Sequence, residues 1–192
     1  MKRDVLLVYL SGHGLCRIIN QEDYKKEHGR YHIPDQQLYF WNYDLDKDKL
    51  DDTGLAFMDL GAKITSLAAE VILMTDACHS GIIGTEIVKG SSPDKNAIDP
   101  NELAKRIYGI NESEMYILNA SRRSEYAREN SEIKHGYFTQ AILDALSSST
   151  NSELTMFGLM DLVQRGVQRY TTAQNPVCRM YGDLLRLEIY RK

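Results

Sequence analysis

The sequence is poor in cysteine and has no excess of basic charge, and these shortages exclude several classes of protein. Its 192 residues contain three cysteines, Cys16, Cys78 and Cys178, with no CxxC pair. Such an odd, small set is a poor disulfide framework, is typical of a reducing compartment and disfavours a structural zinc site. The 23 lysines and arginines are outnumbered by 27 aspartates and glutamates. The resulting net charge of −4 argues against a nucleic-acid partner.

Long apolar runs, targeting segments and internal repeats are also lacking. No run approaches the roughly 20 apolar residues of a membrane span, and the apolar run at residues 5–10 is too short for a signal peptide. We therefore expect a cytoplasmic protein without a membrane partner. No EF-hand-type loop is present, so no cofactor is expected, although a calcium requirement stays open. The length fits a single domain over residues 1–192.

Short apolar runs alternate with helical patterns along the chain. Runs at residues 5–10, 71–75 and 115–118 predict strands covered on both faces, as in a parallel sheet. Helices are predicted at residues 55–67, 101–108, 135–146 and 153–170, a short strand within residues 36–44 and a last strand at residues 184–190. This order predicts an α/β fold, a mostly parallel sheet flanked by helices. Two long segments, residues 15–35 and 81–100, show no regular pattern.

Reactive side chains follow two of the predicted strands directly. The first run ends in SGHG, which contains His13, and the second ends in DACHSG, which contains Cys78. If the two strands are neighbours, their carboxyl ends meet at one edge of the sheet, where α/β proteins bind ligands. A cysteine and a histidine that meet there form a nucleophile and a general base. The backbone N–H groups of Gly14 and Cys78 are candidates to stabilise an oxyanion.

These motifs carry a resemblance to a known family. DVLLVYLSGHG followed by VILMTDACHSG resembles the caspase-like cysteine peptidases, the clan of caspases, metacaspases and paracaspases. The Asp-x-Cys-His-Ser-Gly form is typical of metacaspases and their bacterial relatives. The later segments LNASRRSEYARE, HGYFTQAILDAL and QNPV are similar to the strand, helix and start of the final strand that follow in the family. The resemblance implies a caspase-like three-layer fold and a cysteine endopeptidase acting on proteins or peptides.

The resemblance also implies roles for individual residues. His13 is expected to be the general base, Cys78 the nucleophile and Gly14 an oxyanion donor. Asp76 matches the position that lines the S1 pocket, which binds the residue before the scissile bond (P1). An acid there implies arginine or lysine at P1, since a buried carboxylate needs a cationic partner. Glu125 is the candidate for a second acid in that pocket, with Glu129 and Asp44 as competitors.

One departure from the family pattern leaves other functions open. The family sheet usually begins with strands and helices that precede the histidine strand, whereas here that strand lies at residues 5–10. The chain is therefore expected to be incomplete at its N-terminus, with an N-terminal segment or a partner chain completing the sheet. The alternatives are a caspase-like interaction scaffold without catalysis and a cysteine hydrolase of small amides. The segment at residues 81–100, with Lys89 and Lys95, is a candidate processing loop.

The other reactive side chains have simpler interpretations. Ser11 and Ser80 are expected in turns, because neither lies in a Gly-x-Ser-x-Gly motif. His79 and His135 are expected to be structural. Cys16 and Cys178 are expected to be packing thiols. The aromatic residues at positions 39–43 are expected in the core or in a pocket wall.

Overall fold

The structure of the chain, a computed structural model, describes residues 5–18, 36–65, 70–78, 114–122, 125–148, 153–181 and 188–190. Its strands, in chain order, are β1 Val5–Ser11, β2 Gly14–Ile18, β3 Gln36–Phe40, β4 Leu55–Ala56, β5 Glu70–Asp76, β6 Glu114–Asn119, β7 Glu129–Asn130, β8 His135–Gly136, β9 Glu153–Thr155, β10 Val177–Tyr181 and β11 Glu188–Tyr190. Its helices are α1 Leu50–Thr53, which follows a 3-10 turn at Lys47–Lys49, α2 Phe57–Thr65, α3 Tyr137–Ser148 and α4 Met156–Tyr170.

The main sheet has four strands in the order β1-β5-β6-β10. The first three run parallel, and β10 is antiparallel to β6. The predicted α/β fold with a mostly parallel sheet is therefore confirmed. The two strands that carry the sequence motifs are direct neighbours, with Ser11 opposite Asp76 in the register. The carboxyl ends of both strands consequently lie at the same edge of the sheet.

Strand β5 is the centre of two hydrophobic cores, which is why its sequence is apolar along nearly its whole length. Ile72 and Met74 face a core that α3 and α4 complete. These helices pack closely because Gly166 has no side chain to collide with the Cβ of Ala141. Val71 and Leu73 face the other core, which contains residues of β3 and α2. The fold thus has three layers. Helices α3 and α4 form the first layer, the main sheet forms the second, and α2 with the small β2-β3-β4 sheet forms the third.

Several element boundaries differ from the sequence predictions for local reasons. Three predicted helices begin two or three residues later, because short strands occupy Leu55–Ala56, His135–Gly136 and Glu153–Thr155. The Thr155 side chain caps α4 by accepting a hydrogen bond from the N–H of Gly158 at 3.1 Å. The predicted helix at residues 101–108 and the candidate processing loop at residues 81–100 lie outside the described residues.

The end of the chain was predicted less well. The last strand of the main sheet is Val177–Tyr181, a segment that contains no apolar run. Within the predicted strand at residues 184–190, the structure describes only Glu188–Tyr190, and this strand pairs with β9 outside the main sheet. The reason is that β10 mixes apolar residues with Arg179 and is only partly buried, so its pattern resembles neither a continuous nor an alternating strand.

Candidate active site

His13 and Cys78 line one cavity of about 140 Å³ at the carboxyl edge of the sheet. Each follows its strand by two residues, and the strand ends are tied together because Gly12 N–H donates to the carbonyl oxygen of Asp76 at 3.1 Å. Gly12 has a φ of 152°, a conformation that side chains disfavour. The SGHG sequence therefore allows the sharp turn that brings His13 to the cavity.

Gly14 lets the two motifs touch through their backbones. A Cβ at this position would lie closer than 3.0 Å to the carbonyl oxygen of Cys78 and 3.1 Å from Leu38 Cδ1. The Cys78 side chain is half-buried, and its thiol donates to the carbonyl oxygen of Ala127 at a distance of 3.7 Å from Sγ. The start of β2 and the nucleophile candidate are thus in direct contact.

Asp76 forms an inner wall of the cavity and is only 5% exposed. Its Oδ2 accepts hydrogen bonds from Thr139 in the first turn of α3, from the backbone N–H at 3.2 Å and from the hydroxyl. Gly136 leaves room for this carboxylate, since a Cβ there would overlap Oδ2. Burial raises the pKa of Asp76, the hydrogen bonds from Thr139 oppose this rise, and the nearby charge of Glu129 adds to it.

The loop at residues 125–128 and the start of β7 supply the facing wall of the cavity through Ala127, Arg128 and Glu129. The buried side chain of Gln174 holds this loop, because its Nε2 donates to Ala120 O at 3.0 Å and its Oε1 accepts from Arg128 N at 2.9 Å. Sequence reasoning missed this role. The similarity of the QNPV segment to the start of the family's final strand contains no signal for this contact.

Glu125 lies in the same loop and does not line the cavity. Its two carboxylate oxygens accept hydrogen bonds from the side chain and the backbone N–H of Asn175, each at 2.7 Å. Of its two competitors, Glu129 lines the cavity, and Asp44 is an exposed residue of the turn after β3. The structure therefore brings Asp76 together with Glu129 rather than with Glu125.

Trp41 contacts the other side of His13. Its backbone N–H donates to the carbonyl oxygen of His13 at 2.9 Å, and the two rings meet edge to face with centroids 6.4 Å apart. The Nζ atom of Lys47 lies 4.7 Å from the centroid of the indole ring. The indole is nevertheless 46% exposed, which makes it one of the larger apolar surfaces near the cavity.

Comparison with known proteins identifies the family. The family model described as the caspase domain matches residues 1–182. The chain belongs to the caspase domain family. A crystal structure of protein GSU0716 from Geobacter sulfurreducens is similar over 94% of this chain and 67% of that chain, with a TM-score of 0.56. At 16% sequence identity, this likeness shows the fold alone. No curated protein matches the chain significantly.

Family membership confirms the resemblance drawn from the two motifs and supports a cysteine-peptidase function for this caspase domain. In the described ranges, no helix has the length and apolarity needed to cross a membrane. The same ranges contain no group of three His, Cys, Asp or Glu side chains that could hold a metal ion.

The remaining reactive residues of the caspase domain play smaller parts. Ser11 lines the cavity at the end of β1. Cys178 lies on β10 against the helical core, where burial raises its thiol pKa to about 11 and makes it a poor nucleophile. His79, Ser80 and the side chain of Cys16 lie outside the described part of the chain.

Proposed function

We propose that this caspase domain is a cysteine endopeptidase that cleaves peptide bonds after arginine or lysine. One observation carries the proposal, namely that a single cavity has Cys78, His13, Asp76 and Glu129 in its walls. This set combines a nucleophile, a base and two carboxylates within reach of one bound peptide. The substrate is a protein or peptide, and no step of the reaction requires a cofactor.

The electrostatics of the cavity favour a cation at P1. Asp76 is almost fully buried, and a buried carboxylate is costly unless a positive group pairs with it. Its Oδ2 is held by Thr139, so a guanidinium or ammonium group would bind at Oδ1, with Glu129 as the second acid in place of Glu125. Arg128 and Glu129 both line the cavity and are both exposed, so solvent screens their opposite charges, and the buried Asp76 dominates the electrostatics of the cavity.

The proposed chemistry is acyl transfer in two steps. His13 accepts the Cys78 proton, and the thiolate attacks the scissile carbonyl carbon to form a C–S bond. The N–H groups of Gly14 and Cys78 stabilise the oxyanion. His13 then protonates the leaving amine as the C–N bond breaks, which leaves a thioester on Cys78. Water, deprotonated by His13, attacks the thioester, and the acid product leaves as Cys78 is regenerated.

The test compares fluorogenic peptides that differ only at P1, with Arg, Lys, Asp or Leu. A hydrogen bond to a charged group contributes about 1.5–3 kcal/mol, so Arg should be preferred over Leu by about 10- to 150-fold. Asp76→Asn should remove most of this preference, while Asp44→Asn, the same change at an exposed acid outside the cavity, should leave it intact. Cys78→Ala should abolish cleavage. Cleavage mainly after Asp or Leu would refute the assignment of Asp76.

A second candidate function, a scaffold or a subunit completed by a partner strand, rests on strand β1. Among the described strands, β1 is at the edge of the main sheet, and its Val5, Leu7 and Tyr9 side chains are 45%, 59% and 42% exposed. Leu143 of α3 is also exposed at 44%. An apolar edge strand is a template for pairing with another segment. A folded chain that cleaves none of the P1 peptides would favour this function over that of an independent peptidase.

A further inference from the structure

Trp41 follows a strand that packs on one face of the main sheet, the proposed P1 cavity extends along the other face, and His13 contacts both. Side chains alternate along a strand, so Asp76 shares the α3 face of β5 with Ile72 and Met74. Trp41 directly follows β3, which packs on the opposite face. His13 lines the cavity and also contacts the edge of the Trp41 ring.

The positions of Trp41 and the cavity on either side of His13 determine how a peptide would lie across the site. In the proposed mechanism the P1 side chain enters the cavity beside Asp76, and His13 protonates the amine of the next residue, P1′. The P1′ residue must therefore lie on the His13 side of the scissile bond, away from the cavity. We propose that Trp41 forms the S1′ subsite and binds an apolar or aromatic P1′ side chain. This inference rests on the proposed endopeptidase function.

The chemistry of the Trp41 surface fits such a ligand. The indole is large and apolar, Trp41 is 46% exposed, and the hydrogen bond from its backbone N–H to His13 holds its main chain beside the dyad candidate. The Lys47 ammonium group at 4.7 Å forms a cation–π contact with one face of the ring. The indole itself is uncharged, so its exposed part favours leucine or phenylalanine over glycine or a charged residue. A rigid aromatic surface also binds without a large loss of side-chain entropy.

Trp41 is the only tryptophan of the chain, so its fluorescence reports on this surface alone. The first test uses the inactive variant Cys78→Ala and two dye-labelled peptides with arginine at P1, one ending at P1 and one continuing with leucine at P1′ and glycine at P2′. Dye anisotropy measures binding of both peptides. Only the longer peptide should shift the tryptophan emission to shorter wavelength. Binding of both peptides with equal emission spectra would overturn the inference, whereas binding of neither would overturn the proposed function and the inference with it.

The second test uses quenched peptides with arginine at P1 and Gly, Leu, Phe or Glu at P1′. In the active protein, kcat/KM should be about 10-fold higher for Leu or Phe than for Gly, as expected for partial burial of such side chains. Trp41→Ala should reduce this ratio to about 2-fold or less, and Trp41→Phe should keep most of it. A ratio unchanged in Trp41→Ala, with cleavage after arginine preserved, would refute the S1′ assignment and leave the proposed function intact.

A third readout separates binding at S1′ from any indirect effect on His13. An amino-acid amide can replace water as the acceptor of the acyl group. Its amine attacks the thioester, and a C–N bond forms as the C–S bond breaks. The amine proton passes through His13 to the leaving Cys78 thiolate. Leucine amide should compete with water about 10-fold better than glycine amide in the active protein. Trp41→Ala should remove this difference, whereas a variant that merely misplaces His13 would slow transfer to both amides equally.

Discussion

Replacing Gly14 with alanine tests whether the contact between the two motifs controls reactivity. The new Cβ would lie closer than 3.0 Å to the Cys78 carbonyl oxygen, a distance that real Cβ atoms do not show. That oxygen belongs to the backbone and cannot rotate away. Leu38 Cδ1, at 3.1 Å from the new Cβ, restricts movement as well because Leu38 is buried. The backbone segments of Gly14 and Cys78 must therefore separate.

The size of the effect follows from this separation. Ordinary contacts begin at 3.4 Å, so the two segments must move apart by at least a few tenths of an ångström. A misplacement of about 1 Å in an active site can cost about 100-fold in rate, so we expect kcat to fall by about 10-fold or more. The Gly14 N–H, a proposed oxyanion donor, moves with the chain and adds to the loss.

The assay measures two properties of Gly14→Ala. The first is kcat for a peptide with arginine at P1. The second is the rate at which iodoacetamide alkylates Cys78, followed by mass spectrometry of the peptide containing it. Gly158→Ala in α4 is the matched control, because a Cβ there meets Leu154 Cδ1 and Thr155 Oγ1 at ordinary distances of 3.4 Å. An unchanged kcat and alkylation rate in Gly14→Ala, with an unchanged Tm, would refute the reasoning that this contact positions the nucleophile.

Three further predictions concern Asp76 and its surroundings. Gly136→Ala should displace the Asp76 carboxylate, since its Cβ would overlap Oδ2, and should lower kcat/KM for P1 arginine about 10-fold while P1 leucine changes little; equal losses for both peptides would contradict this. Thr139→Val removes a hydrogen bond that lowers the pKa of Asp76, so the acid limb of the pH profile of kcat/KM for P1 arginine should move to higher pH; a shift to lower pH would be inconsistent with that bond. Burial raises the pKa of Asp76 in the folded state, so the ionised carboxylate destabilises the fold at neutral pH. This cost vanishes below about pH 3.9, because the carboxyl group is then protonated in the folded and the unfolded state alike. Asp76→Asn should accordingly increase the free energy of unfolding in urea at pH 7 and not at pH 3; an equal gain at both would exclude a charge effect.

The sequence predicted the centre of the fold well because the central strands are covered on both faces. The runs at residues 71–75 and 115–118 are continuous and apolar, and each lies within an observed strand, β5 or β6. The reactive residues that follow such strands must emerge at one sheet edge when the strands run parallel. The common location of His13 and Cys78 could therefore be expected before the structure was known.

Positions on loops were harder to predict because sequence distance says little about which loop residue faces a cavity. Glu125 and Glu129 are four residues apart, and no sequence pattern shows which of the two lines the cavity. The structure does so through Asn175, which binds Glu125, and through the short β7-β8 pairing, which places Glu129 opposite Gly136, another residue of the cavity wall. Gln174 is 46 residues from Arg128 along the chain, so its role depends on a contact that no local pattern records.

The environment of Asp76 favours a functional over a structural role for this carboxylate. Its hydrogen bonds to Thr139 stabilise the first turn of α3, but an uncharged acceptor such as asparagine could supply the same bonds without the cost of a buried charge. Glu129 adds to that cost, because a second negative group beside the cavity raises the pKa of Asp76 further. A cation bound beside Asp76 and Glu129 would offset both the burial of Asp76 and the repulsion from Glu129. In the proposed reaction, the same arrangement that makes the folded protein less stable at neutral pH provides the binding energy for an arginine or lysine side chain at P1. Stability and P1 preference should therefore change in opposite directions in Asp76→Asn.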